Sequence, residues 1–252
     1  MDLVLDFNIA KVYKSSSQKI RVVTEHWTGK NIYCSYCGKQ IYQFENNHPV
    51  ADFYCSDDHE EFELKSKTSN IALKIVAGQY DKMIERITSD KNPNLFLLSY
   101  FGEVVNNFCV IPKYLLTPGI IEKRKPLRKT ARRAGWTGCN ILVSRIPEIG
   151  KVYYIKDGRI NEKQKVLEQF DKIAFLKQEK TESKGWILDV MRCIDEIKTT
   201  DFSLKSIYGF EDKLARLHPE NRNIKPKIRQ QLQILRDKKL IEFLGNGNYR
   251  KI

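Results

Sequence analysis

Asp52 and the triplet Glu63-Leu64-Lys65 are the residues of this 252-residue chain best suited to chemistry. Glu63 and Lys65 are two apart, so on a β-strand their side chains share a face. The surrounding run, Pro49 to Lys67, reads as two short strands joined by Cys55-Ser56-Asp57-Asp58-His59. A hairpin of that kind brings Asp52 alongside Glu63. Two carboxylates then offer oxygen ligands to a divalent cation, and Asp52, Glu63 and the intervening Leu64 are the expected magnesium ligands. Lys65 can orient, or help deprotonate, an attacking water. Two carboxylates, a metal and a lysine are what hydrolysis of a phosphodiester requires. The bland alternative is an edge strand with exposed charges, which would carry the same letters.

A second set of residues points to a softer metal. Cys34-Ser35-Tyr36-Cys37 supplies two thiolates at the spacing of a zinc knuckle, and Cys55 is the natural third ligand. No second Cys-x-x-Cys completes the set. His59 is the favoured fourth ligand and Asp58 the alternative. Such a zinc would be structural, tying the loop before Asp52 to the turn between the two strands. Without a metal these are three buried thiols, which is also the reading for Cys109, Cys139 and Cys193 in their apolar surroundings.

Two regions look made for phosphate. Lys123 to Arg133 holds seven cations and no acid, interrupted by Pro126, and reads as a loop. Arg124, Lys125, Arg128, Arg132 and Arg133 are its candidate DNA contacts. Trp136 follows among small residues, Ala134, Gly135, Thr137 and Gly138. Its indole could stack on a base or wedge beside one; a place in the core is the equal alternative. Further on, Asn223, Lys225, Lys227, Arg229 and Gln230 cluster at the start of a helical pattern with Ile228, Leu232 and Leu235 as its inward stripe. A recognition helix reads base edges from that end, Arg toward guanine, Asn or Gln toward adenine.

The elements that must position these residues follow from periodicity. Ser15, Ser16 and Ser17 offer caps to a helix from about Gln18 to Trp27. Phe62 and Leu64 alternate with Glu61, Glu63 and Lys65, as on a half-buried strand. A helix is expected from Ile71 to Ile87, with Ile71, Ile75, Tyr80, Ile84 and Ile87 along one face. Leu95 to Tyr100, Val104 to Ile111 and Val152 to Ile155 read as strands. The polar stretch Lys180 to Lys184 reads as a linker, giving a catalytic domain at 1–183 and a second domain at 184–252. The latter shows helices at Gly185 to Ile197, Phe210 to Leu217 and Lys225 to Lys238, with a further short element at Leu204 to Tyr208. Two strands follow, Leu240 to Leu244 and Asn248 to Ile252, around Gly245-Asn246-Gly247. That order is a winged helix-turn-helix.

Charge agrees with a polyanionic partner. Lys and Arg number 44 against 31 Asp and Glu, a formal net charge of +13. From Lys184 onward there are 15 basic and 9 acidic residues, an excess of +6. No stretch approaches the roughly 18 apolar residues of a membrane span, and no basic amphipathic helix with an aromatic anchor suggests a membrane surface. The N-terminus has no secretory pattern. We expect a cytoplasmic protein, monomeric in solution, with free or metal-bound thiols.

Several stretches resemble the DpnI-like methyl-directed restriction endonucleases of the PD-(D/E)xK superfamily. They are Phe44-Glu45-Asn46-Asn47, Pro49-Val50-Ala51-Asp52-Phe53-Tyr54-Cys55, Glu60 to Lys67, Thr130-Ala131-Arg132-Arg133-Ala134-Gly135-Trp136, and Lys227 to Asp237. They span nearly the whole chain. The resemblance implies a mixed α/β PD-(D/E)xK nuclease domain with a zinc site, plus a winged helix-turn-helix as a second DNA reader. It implies Mg-dependent, type II cleavage of double-stranded DNA at GATC sites whose adenine is methylated. Asp52, Glu63 and Lys65 are then the catalytic set, and Cys34, Cys37 and Cys55 are zinc ligands. One departure stands out: where the family motif has a second Cys-x-x-Cys, this chain has Asp58 and His59. The competing reading is a zinc-containing winged-helix regulator with an inactive nuclease fold, carried by the same basic loop and helix.

Overall fold

The computed structural model describes residues 1–45, 48–68, 71, 73–89 and 91–252, with Thr181 described by its backbone alone. Asn46 and Asn47 of the Phe44 motif, and Ala72 within the helix expected from Ile71, lie outside the described residues. The chain divides into two compact units: residues 1–145 with 149–171, and 146–148 with 172–252. Among the described residues no helix is long and apolar enough to cross a membrane.

The first unit is mixed α/β. Its elements are α1 (Ser16–Asn31), β1 (Tyr42–Gln43), β2 (Phe53–Tyr54), β3 (Glu61–Thr68), β4 (Ile75–Gln79), α2 (Tyr80–Ile87), β5 (Asn94–Phe101), β6 (Val104–Ile111), β7 (Ile121–Lys123), β8 (Gly138–Ile141), β9 (Val152–Lys156), β10 (Arg159–Ile160) and α3 (Lys163–Lys172). Seven strands form the main sheet in the order β1-β2-β3-β5-β6-β9-β10. β3 and β5 are parallel, and the other named pairs are antiparallel. β5 sits centrally, and its Asn94 to Tyr100 run is buried throughout, as an apolar strand covered on both faces must be.

Aromatic rings hold the sheet to α1. Phe62 on β3 stacks on Phe96 of β5 with centroids 4.4 Å apart, and Phe96 meets Phe108 of β6 at 5.1 Å. Trp27 of α1 reaches Phe108 at 5.7 Å. All four are nearly or fully buried, each burial worth about 1.5–3 kcal/mol. Phe62 is thus the anchor that fixes which face of β3 points inward, and Glu63 and Lys65 must take the other.

The expected helix from Ile71 is corrected. Residues 75–79 form β4, and the helix starts only at Tyr80. The run Ile75-Val76-Ala77-Gly78 explains it: two β-branched residues and a glycine weaken a helix. Its burial alternates, with Ile75 and Ala77 inward and Val76 and Gly78 outward. β4 pairs with β8, and β8 with β7, to make a second sheet of three strands.

The second unit contains α4 (Thr181–Glu196), β11 (Asp201–Ser203), α5 (Leu204–Tyr208), α6 (Glu211–Leu217), α7 (Ile224–Asp237), β12 (Ile241–Gly245) and β13 (Asn248–Lys251). Residues 181–184 are therefore helical, not a linker: they make the first turn of a helix whose later positions, Trp186, Ile187, Val190 and Ile194, are buried. In α7, Ile224, Ile228, Leu232 and Leu235 face inward at helical spacing. Gly245, Asn246 and Gly247 all have positive φ, which the β12–β13 hairpin turn needs. β13 also pairs with β11, a strand absent from the sequence reading, and Arg250 grips Asp201 there at 2.8 and 2.9 Å.

Candidate active site and metal cluster

The β2–β3 hairpin carries two clusters, one at each end. Phe53 lies opposite Phe62 and Tyr54 opposite Glu61. Continuing that register brings Asp52 next to Glu63. The Asp52 N–H donates to the Phe62 carbonyl at 2.9 Å, and the Leu64 N–H donates to Asp52 Oδ2 at 2.7 Å. The carboxylate is thereby fixed by backbone before any metal arrives. Leu64 serves it through its amide while its side chain is buried.

Glu63 is held on both oxygens. Lys65 Nζ lies 2.6 Å from Oε1, and Arg86 of α2 donates to Oε2 at 2.9 Å. The Arg86 guanidinium also touches Met83 Sδ at 3.4 Å, and its Nε is buried with no hydrogen-bond partner among the described residues. On the other flank, Arg21 of α1 stands 4.0 Å from Asp52 Oδ1 and 2.5 Å from Glu25 Oε1. Glu25 accepts a further bond from Gln43 at 2.9 Å and is only 6% exposed. Burial pushes the Asp52 carboxyl above the ordinary carboxylate value and Glu63 pushes the same way, against the Leu64 N–H and Lys65. Burial raises Glu25 likewise, and Asp52 adds to it. A buried acid raised further by a neighbouring carboxylate is relieved by a cation between the two. Their oxygen donors suit a hard divalent ion such as magnesium.

The structure brings together Asp52, Glu63 and Lys65, the three residues expected from the sequence to form the site. Arg21, Glu25 and Arg86, which reach the site from two helices, were not expected from the sequence. A signal existed for Glu25: it is an acid on the buried stripe of α1, beside Val23, Thr24, Trp27 and Thr28.

At the turn end of the hairpin, ligand atoms of Cys34, Cys37, Cys55 and Asp58 all lie within 4.8 Å of one another. Cys37 Sγ and Cys55 Sγ are 3.5 Å apart, and Cys34 Sγ meets Asp58 Oδ2 at 3.0 Å. Two sulfurs about 2.3 Å from a tetrahedral zinc would stand roughly 3.8 Å apart, so the set fits that ion. The knuckle turn is closed by the Gly38 N–H donating to the Cys34 carbonyl at 2.9 Å, with Gly38 at φ 73°. The second half is closed by the Cys55 N–H on the Glu60 carbonyl and the Glu60 N–H on Asp58 Oδ1. Burial pushes the Cys34 thiol far up and the Cys37 thiol to about 11, with Asp58 raising both. Burial would raise Asp58 as well, but hydrogen bonds from Cys34 and Cys37 outweigh it and hold its carboxyl below the ordinary value.

The fourth member is Asp58, and the preference for His59 is corrected. His59 has φ 56°, its side chain is exposed, and it does not join the cluster. The turn rotates residue 58 inward and residue 59 out.

The basic run is a long extension between the paired strands β7 and β8. Arg124 N–H donates to the Gly138 carbonyl, Leu127 N–H to that of Trp136, and Gly135 N–H to that of Leu127. Arg124, Lys125, Arg128, Arg132 and Arg133 are all exposed, and no ion pair among the described residues engages them. Trp136 is half-buried, with the Arg133 guanidinium 4.9 Å from its ring. Its ring edge rests on Gly138, where a Cβ would come within 2.8 Å of two indole carbons. The Cys139 thiol, on β8 at the root of the extension, is pushed up by burial. In the second unit, Asn223, Lys225, Arg229 and Gln230 are exposed at the start of α7 and Lys227 is half-buried. Lys225 pairs with Glu211 at 3.1 Å, and Arg229 donates to the Tyr208 hydroxyl at 2.8 Å.

A mixed α/β unit with paired acids beside a basic extension, joined to a helix-turn-helix, defines a DNA-binding nuclease type. Residues 1–179 match the family model described as DpnI, the Dam-replacing family, and residues 182–251 match that of the Dam-replacing helix-turn-helix domain. The chain belongs to the DpnI family of methyl-directed endonucleases.

Proposed function

We propose that this protein is a type II restriction endonuclease that cuts double-stranded DNA at adenine-methylated GATC sites by a magnesium-dependent mechanism. The observation that carries the reading is the convergence of Asp52, Glu63 and Lys65 on one hairpin, with the Leu64 N–H fixing Asp52. We read the first unit as a PD-(D/E)xK nuclease domain and the β12–β13 hairpin as the wing of its helix-turn-helix partner.

Asp52 and Glu63 would hold magnesium, which stabilises the charge developing on the scissile phosphate and its leaving oxygen. Lys65 Nζ, held 2.6 Å from Glu63 as its ion-pair partner, is positioned to hold the attacking water by hydrogen bonding, and could take its proton only after releasing one of its own. Asp52 needs no reorganisation because backbone already aims it. The exposed cations of the 124–133 extension grip phosphates and set register without reading sequence. Trp136, seated at the root of that extension, offers an apolar face to the added methyl of adenine. Asn223, Lys225, Lys227, Arg229 and Gln230 present donors from the start of α7 to base edges and phosphates. Cys34, Cys37, Cys55 and Asp58 hold a structural zinc that locks the hairpin turn. A reducing cytoplasm would keep these thiols available to it.

The test is digestion of one plasmid in adenine-methylated and unmethylated form, with magnesium, by wild type and Lys65→Ala. Cutting of the methylated plasmid alone, lost in the variant, is the expected result. Cutting of both forms removes the methyl requirement. Site binding with no cutting under any divalent cation favours the regulator reading.

A further inference from the structure

The acidic cluster is already neutralised by the protein itself. Three carboxylates, Asp52, Glu63 and Glu25, face three cations, Lys65, Arg86 and Arg21, at 2.5 to 4.0 Å. Both oxygens of Glu63 are spent: Oε1 on Lys65 and Oε2 on Arg86. A carboxylate in that state is a poor ligand, because an arriving cation must displace a charge-assisted hydrogen bond before it gains a bond of its own. Of the two partners, Lys65 extends from the same strand, whereas Arg86 comes from the last turn of α2. Arg86 is also the less satisfied of the two. Its Nε is buried without a partner among the described residues, and its remaining contact besides Glu63 is the weak acceptor Met83 Sδ. A guanidinium so placed loses little by releasing Glu63 if another oxyanion takes its place.

On the strength of the nuclease reading, we propose that Arg86 is a counter-ion latch and positioning residue of the metal site. It holds Glu63 in place and suppresses repulsion among the acids while the site is empty of substrate. When DNA enters, its guanidinium turns from Glu63 Oε2 to a phosphate oxygen of the cut strand, leaving that carboxylate oxygen to the divalent cation. Metal and DNA then bind cooperatively, since each removes a cost the other would bear. No bond is made or broken in the exchange; one ion pair replaces another.

The latch predicts effects of opposite sign. Arg86→Met removes the competing cation, so it should tighten manganese binding to the zinc-loaded, DNA-free protein by about tenfold, read by paramagnetic resonance titration. The same variant should lose coupling, so that oligonucleotide duplex raises manganese affinity severalfold in wild type and not in the variant. Arg86→Lys, which keeps the charge and fills similar space, should restore weak DNA-free binding. Circular dichroism and zinc content of both variants must match wild type; a variant that unfolds is replaced by Arg86→Gln. Equal manganese affinity in wild type and folded Arg86→Met overturns the latch and leaves the nuclease reading intact. Failure of manganese to bind any form, with or without duplex, while Glu63→Gln behaves as wild type, overturns the metal reading beneath it.

Discussion

The two ends of the β2–β3 hairpin hold clusters of similar size and opposite electrostatic state. At the open end, Asp52, Glu63 and Glu25 are matched by Lys65, Arg86 and Arg21. At the turn end, three thiols and Asp58 crowd together, burial and Asp58 push the Cys34 and Cys37 thiols up, and the neighbouring Lys39 is paired to Asp57 at 2.6 Å instead. A site that supplies its own cations can stand empty and admit an ion on demand. A site that supplies none is incomplete without its ion. On the function proposed above, the contrast supports a permanent, structural metal at the thiol cluster and an exchangeable, working metal at the carboxylates.

The sharpest way to break the comparison is to remove the zinc. Structural zinc supplies on the order of 10 kcal/mol of apparent folding free energy. A zinc chelator in excess should therefore unfold the first unit, seen as loss of its far-ultraviolet dichroism in the absence of magnesium and DNA. Stripping magnesium alone should leave the dichroism unchanged. Equal loss from both treatments, or from neither, would remove the distinction between the ends. Within the zinc end, Asp58→Ala should weaken zinc by at least the roughly 10–100-fold that loss of an outer-sphere partner costs. His59→Ala should leave zinc content untouched; loss of zinc there would return the fourth position to histidine.

At the open end the largest effect belongs to Lys65. Lys65→Ala should lower cleavage by about 10²–10⁴-fold, the usual contribution of a positioned proton-transfer group. Binding of the methylated site should stay within a small factor of wild type. A variant that cuts normally but binds poorly would reassign Lys65 to phosphate contact.

The two ends were also unequally legible. Asp52, Glu63 and Lys65 could be read because strand periodicity forces the face of Glu63 and Lys65, and Phe62 and Leu64 take the other. The three thiols could be read from spacing. Asp58 against His59 could not, since the choice turns on one positive φ at residue 59 that the letters do not encode. Arg21 and Arg86 arrive from α1 and α2, and contacts between distant elements leave no local pattern. A related limit hid β4: its apolar residues fit a helix by spacing, and the weak helix formers Ile75, Val76 and Gly78 together with pairing to β8 decided for a strand.

A smaller effect is expected where Trp136 rests on Gly138. Alanine at 138 would put its Cβ within 2.8 Å of the indole, so the ring must shift. One apolar contact with a methyl group is worth about 1–3 kcal/mol of discrimination. Trp136→Ala should therefore reduce the preference for methylated over unmethylated sites by about 10–200-fold, and Gly138→Ala by part of that. Competition cleavage of the two plasmids measures both. Full preference in Trp136→Ala would take the methyl contact away from the indole.

The smallest effect tests whether the self-neutralised end is comfortable or strained. Burial raises the Glu25 carboxyl despite Arg21 and Gln43. The folded state then holds a proton that the unfolded chain has already released, so stability falls as pH rises through that window. The cost is absent below the ordinary carboxylate range and fully present above the raised value. Glu25→Gln keeps the size and the bond to Gln43 while removing the charge. It should raise the first melting transition by about 2 °C at pH 8, a fraction of a kcal/mol for a unit of this size, and change nothing near pH 4. A lower transition at pH 8 would mean that the pair with Arg21 outweighs burial, and that the open end is neutralised without strain.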